Sequence, residues 1–104
     1  MARVTWTDPA LDSLKVLFEY IAVDSLVYAV RVVTHILNAP KKLSAFPLCG
    51  RVVPEFQDEN IRELIYGSYR IIYQIRQDTC HVVAVIHGSR DILIHLKPGE
   101  WDVA

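Results

Sequence analysis

Arginine is the residue type that gives this sequence its chemistry. Seven of the eleven basic residues are arginines, and Arg51, Arg62, Arg70, Arg76 and Arg90 all lie in the second half. A guanidinium is a planar fork that grips a phosphate or carboxylate through two parallel hydrogen bonds, a geometry that the ammonium of lysine cannot offer. His87, with an ordinary pKa of about 6.5, suits proton transfer. Glu63 adds a carboxylate that could act as a base. The candidate target-binding set is therefore Arg51, Arg62, Arg70, His87 and Arg90.

Each of these residues also has a plainer reading. Arg62 and Glu63 are neighbours, so on a strand they face opposite sides and do not pair with each other. His87 ends an apolar run before Gly88 and fits either a hydrogen-bonded structural histidine or a target contact. Whether it shares a face with Arg70 depends on strand register, which one residue of slip reverses. His35, His81 and His95 read as surface or packing residues, and Tyr69 and Tyr73 as core rather than base-stacking platforms. The two cysteines, Cys49 and Cys80, and the four histidines lack the paired ligand spacing of a zinc site. No glycine-rich stretch cradles a phosphate, so no cofactor is expected.

Such groups need a frame, and the composition allows one. The chain has 104 residues, 52% hydrophobic and 22% charged, enough apolar surface for a single core and too little length for a second domain. We expect one domain over 1–104, with 91–104 as a C-terminal tail. A net charge of −1 argues against indiscriminate nucleic-acid binding, so any such role must sit in a local patch. Without a secretory signal or an apolar run of about 20 residues, the expected location is the cytoplasm, away from membranes, with both cysteines as thiols.

The positioning elements follow from periodicity. Residues 2–6 alternate as a short strand, then Asp8 and Pro9 open a helix whose stripe is Ala10, Leu14, Leu17 and Ile21, flanked by Leu11 and Phe18. Asp24 and Ser25 start a second helix carrying Leu26, Ala29, Val30, Val33, Ile36 and Leu37, which Pro40 should end or kink. A further turn is allowed over 41–46, and 47–60 reads as the one long loop. Three β-rich runs follow, 61–66, 69–76 and 80–87, with links too short for anything but antiparallel hairpins. Within the middle run, Tyr69, Ile71, Tyr73 and Ile75 should face the helices. Arg70, Ile72, Gln74 and Arg76 should lie on an open face of the sheet, available to a ligand.

The blocks "FPLCGRVVPEF" (Phe46–Phe56), "IRELIYGSYRIIYQI" (Ile61–Ile75) and "VVAVIHGSRD" (Val82–Asp91) give the chain a resemblance to the ParE/RelE superfamily of type II toxins, closer to its ParE branch. It covers about residues 2–91. The fold this implies is α+β: an N-terminal strand, an αα-hairpin and a three-stranded antiparallel meander packed on the two helices. The function it implies is a growth-inhibiting toxin, of the kind associated with plasmid stabilization, neutralised by a cognate antitoxin. A toxin–antitoxin heterotetramer is one assembly it allows.

ParE-like members are described as poisoning DNA gyrase by binding, RelE-like members as cleaving mRNA on the ribosome. By the resemblance, Arg70 matches the sheet arginine and Arg90 the arginine after the last strand; a nuclease would use these with His87 and Glu63, since attack by a 2′-hydroxyl needs a base, an acid and cations. RelE-like nucleases usually carry a tyrosine or a histidine–tyrosine pair shortly after the last strand and tend to be markedly basic. Here no tyrosine follows Tyr73 and the chain is slightly acidic, so the expectation is a gyrase-binding toxin, with the ribosome-dependent nuclease as the alternative.

Overall fold

In the computed structural model, residues 2–88 are described; Arg90 and the 91–104 tail lie outside them. The elements are β1 (Arg3–Trp6), α1 (Asp8–Ala22), α2 (Leu26–Asn38), a 3-10 segment (Ala39–Ser44), β2 (Arg51–Val52), β3 (Ile61–Tyr66), β4 (Tyr69–Arg76) and β5 (Thr79–His87). The strands form one open sheet in the order β1-β5-β4-β3-β2, mixed because β1 runs parallel to β5 while the other pairs are antiparallel. The expected α+β architecture is therefore present. The meander is extended at each edge by one short strand.

Local chemistry accounts for most boundaries. Thr7, rather than Asp8, caps α1: its Oγ1 accepts from the Ala10 N–H at 3.4 Å while donating to the Val82 carbonyl at 2.8 Å. That second bond is tertiary, so the cap also fastens α1 to β5. Ser25 caps α2 by accepting from the Tyr28 N–H at 3.1 Å. Pro40 falls two residues past the end of α2, inside the 3-10 segment, as its missing N–H requires. The hairpin links are two residues each, Gly67-Ser68 and Gln77-Asp78, and Gly67 and Gln77 take the left-handed conformation that such tight turns demand (φ 57° and 56°).

The helices cover one face of the sheet. Ala10, Leu14 and Ile21 of α1 and Ala29, Val32 and Ile36 of α2 close over Leu64, Ile71, Tyr73, Cys80 and Val82. The expected inward stripe of α2 needs correction: Val32 is buried, whereas Leu26, Val30 and Leu37 are exposed, as is Leu11 of α1. Contact with only one sheet face needs a narrower stripe than the apolar residues of α2 supply.

The other face is not open. Residues 53–60 fold across it as a strap, and Val53 and Phe56 pack on Ile61, Ile72, Val83, Ala84 and Ile86 to form a second, smaller core. A register shift helps to build it. Ile72 pairs with Ala84 but Tyr73 with Val82, so β5 carries one extra residue, Val83, at a bulge. The expectation of an open face presenting Arg70 and Gln74 is overturned, because Val53 and Phe56 of the 47–60 loop pack onto that face.

Candidate functional site

The β3-β4 hairpin decides where the charged groups go. Its register pairs Glu63 with Ile72 and Ile65 with Arg70, while β2 brings Arg51 opposite Glu63. Directly opposed residues share a face, so Arg51, Glu63 and Arg70 converge on the strap side of the sheet.

Glu63 is the centre of this group, and its side chain is fully buried. It accepts a hydrogen bond from Arg51 Nε at 2.5 Å and a second from Arg70 Nε. The outer edge of the Arg70 fork is filled as well: Nη1 and Nη2 donate to Glu55 Oε2 and Oε1, each at 2.9 Å. Arg70 is left only 8% exposed. Two cations thus meet two carboxylates, which is the condition for keeping ionised groups away from water. The Arg70 guanidinium holds the Glu55 carboxyl below its ordinary pKa. The hydrogen bonds that Arg70 donates to Glu55, and then to Glu63, raise its own pKa in spite of its burial.

A second set of contacts turns the loop around the sheet edge. Tyr73 Oη donates to the Pro47 carbonyl at 2.8 Å and accepts from the Gly50 N–H at 3.0 Å, on the helix side of the sheet. Burial pushes the Tyr73 phenol up to about 12. Arg62, pointing to the same side as Tyr73, donates to the carbonyls of Leu48 (3.2 Å), Gly50 (3.0 Å) and Glu59 (2.8 Å). Gly50 sits at the crossing, where a Cβ would lie 2.6 Å from Tyr73 Oη and 2.7 Å from the Glu63 carbonyl. Only glycine permits that approach.

The expected site residues therefore separate. Arg62 is a loop fastener, and, as strand alternation implied, it does not pair with Glu63. Arg51 keeps a side chain 63% exposed although its Nε is bonded to Glu63. Arg70 and Glu63 are network members rather than exposed ligand contacts, which corrects the reading of Arg70 as solvent-facing. His87 pairs in register with Tyr69 and packs edge-on against its ring at 5.5 Å. That puts His87 on the helix side, opposite Arg70.

Glu55 was not anticipated. It lies in an aperiodic stretch between Pro54 and Phe56, and no local signal marks a carboxylate that will reach a guanidinium fifteen positions away. Gln74, expected on the open face, is half-buried, and its Oε1 is buried with no hydrogen-bond partner among the described residues. Among those residues no group of three or more histidine, cysteine, aspartate or glutamate side chains could hold a metal ion. No described helix is long and apolar enough to cross a membrane.

Comparison with known proteins adds an independent line. The chain is 31% identical over 91 residues to toxin RelE2 of Caulobacter vibrioides, covering 86% of this chain and 99% of that protein. Its fold matches a solved structure of the chromosomal ParDE TA system from P. aeruginosa with a TM-score of 0.70 at 17% identity, over 84% of this chain and 96% of the other. The profile of the ParE toxin of the type II toxin–antitoxin system, parDE, matches residues 4–92. That span runs from β1 through the end of the meander and takes in both helices, the strap and the ion network, so the chain belongs to the ParE toxin family.

Proposed function

We propose that this toxin arrests growth by binding its target, that the target is DNA gyrase, and that it works in the cytoplasm under the control of a cognate antitoxin. The observation that carries the binding reading is the separation of the nuclease candidates. Glu63 and Arg70 are sunk in a charge-neutral network on one face, while His87 stands on the other. Acid–base cleavage of RNA needs its base, acid and cation within hydrogen-bond reach of one phosphate. Among the described residues these three do not meet at one point. A binding toxin has no such requirement, because a rigid domain with a defined surface is sufficient for it.

The test is induction of the chain without its antitoxin, together with assays on purified gyrase. The expected result is filamentation, DNA-damage signalling and loss of supercoiling activity, with messages left intact. Unchanged supercoiling and cleavage at high toxin excess would reject gyrase as the target. The RelE2 name of the Caulobacter relative motivates the second reading, an mRNA endonuclease on the ribosome. Rapid message cleavage within translated codons would establish it.

A further inference from the structure

The Arg70 fork is a carboxylate site that is already filled, and one of its two occupants stands at the surface. Glu63 is wholly buried and bonds Nε from inside the sheet, whereas the Glu55 side chain is 32% exposed and bonds both terminal nitrogens from the solvent side. Val53 and Phe56 anchor the strap on either side of Glu55 by packing into the second core. Rotation about the Glu55 side-chain bonds is thus enough to open the outer edge of the fork. No strand or helix has to move.

We propose that this outer edge is an exchange site: Glu55 holds it in the free toxin, and an acidic side chain of the antitoxin takes it in the complex. This deepens the antitoxin part of the functional reading and is independent of which target the toxin attacks. The chemistry of the surroundings favours a carboxylate on a protein over a nucleic-acid backbone. Glu63 lies directly behind the fork, and Asp58 and Glu59 follow on the strap, so a polyanion would be repelled more strongly than a single carboxylate that takes the place of Glu55 on the fork. Beside the fork, Ile65 is the register partner of Arg70 and is 56% exposed. Guanidinium groups, Arg70 and the more exposed Arg51, next to an apolar side chain match an acidic residue flanked by hydrophobic ones, the mixed pattern of a peptide that folds onto its partner.

Glu55 then acts as an internal competitor, and removing it should tighten the complex. The experiment measures binding of the purified cognate antitoxin to the full-length toxin, as wild type, Glu55→Gln and Arg70→Lys, by calorimetry, with thermal melts to confirm that each variant is folded. Alongside, arginine-specific phenylglyoxal labelling with peptide mapping reads the accessibility of Arg70. Expected are about tenfold tighter antitoxin binding for Glu55→Gln, faster labelling of Arg70 in that variant, and protection of Arg70 once antitoxin is added. Arg70→Lys, which keeps the charge but loses the fork, should weaken binding if it melts as a folded domain. Where it does not, the Glu55→Gln result decides alone. Unchanged or weaker binding by Glu55→Gln would overturn the proposal, as would Arg70 labelling that antitoxin leaves unaffected. Duplex DNA that protects Arg70 in Glu55→Gln as well as antitoxin does would also overturn it, by assigning the fork to phosphate. A failed gyrase assay leaves all of these outcomes standing.

Discussion

The two faces of the sheet are closed by different physics. On the helix side, two amphipathic helices lay down a hydrocarbon layer in which Ile71 and Tyr73 are fully buried. On the other side, a short strap contributes little more than Val53 and Phe56, and the closure is completed by four charged groups. The contrast teaches how, among the described residues, a short strap covers a sheet face where no helix lies. Hydrophobic contact is non-directional and tolerates sliding, whereas a guanidinium fork between two carboxylates admits one position. The helix face supplies most of the cohesion; on the other face Val53 and Phe56 seat the strap, and the charged groups neutralise one another beneath it.

The sharpest way to break this contrast is to remove the buried carboxylate. Glu63→Ala leaves Arg70 and Arg51 without their shared partner, and the expected loss is about 4 kcal/mol, read by urea denaturation. A loss below about 1 kcal/mol would mean that the network is peripheral and the apolar contacts alone hold the strap.

Next in size is the apolar half of the same face. Ile72→Ala should cost about 3 kcal/mol through the cavity it leaves. Its signature in hydrogen exchange should be specific: lost protection in residues 53–60 with α1 and α2 unchanged. Equal loss in the helices would show that the two faces are one cooperative unit rather than two layers of different strength.

Tyr73→Phe probes the point where the loop passes from one face to the other. It removes the hydroxyl that bonds Pro47 and Gly50 and leaves the ring in the helix-side core. About 1 kcal/mol is expected, with exchange increasing at the Gly50 amide first.

Acid titration should give the smallest effect. The Glu55 carboxyl is held below its reference value of 4.5, chiefly by its hydrogen bonds to Arg70. A depressed folded-state pKa stabilises fully above the unfolded value, and that contribution is lost as the pH falls through the folded one. At neutral pH the wild type should exceed Glu55→Gln by less than about 1 kcal/mol, since the pair is partly exposed. The gap should close as the pH is lowered past 4.5. A gap that persists at low pH would assign the effect of Glu55 to packing instead of charge.

Sequence alone determined the elements and much of their internal geometry. The helical spacing of Ala10, Leu14 and Ile21, the capping by Ser25 and the short hairpin links act between residues a few positions apart, so they are visible in one dimension, although the second link is one residue shorter than its sequence suggests because β5 begins at Thr79. Strand alternation also separated Tyr73 from Arg70 and Arg62 from Glu63 before any contact was known. The folded chain alone decided that β1 runs beside β5, that the 47–60 segment contains β2 and wraps a sheet edge, and that Arg70 lies beneath Glu55 with His87 on the far side. Each of these depends on register or on a pairing between distant positions, such as Tyr73 with Pro47 across 26 residues. Such pairings form only when the chain closes on itself, and they leave no period in the sequence because neither partner constrains its own neighbours.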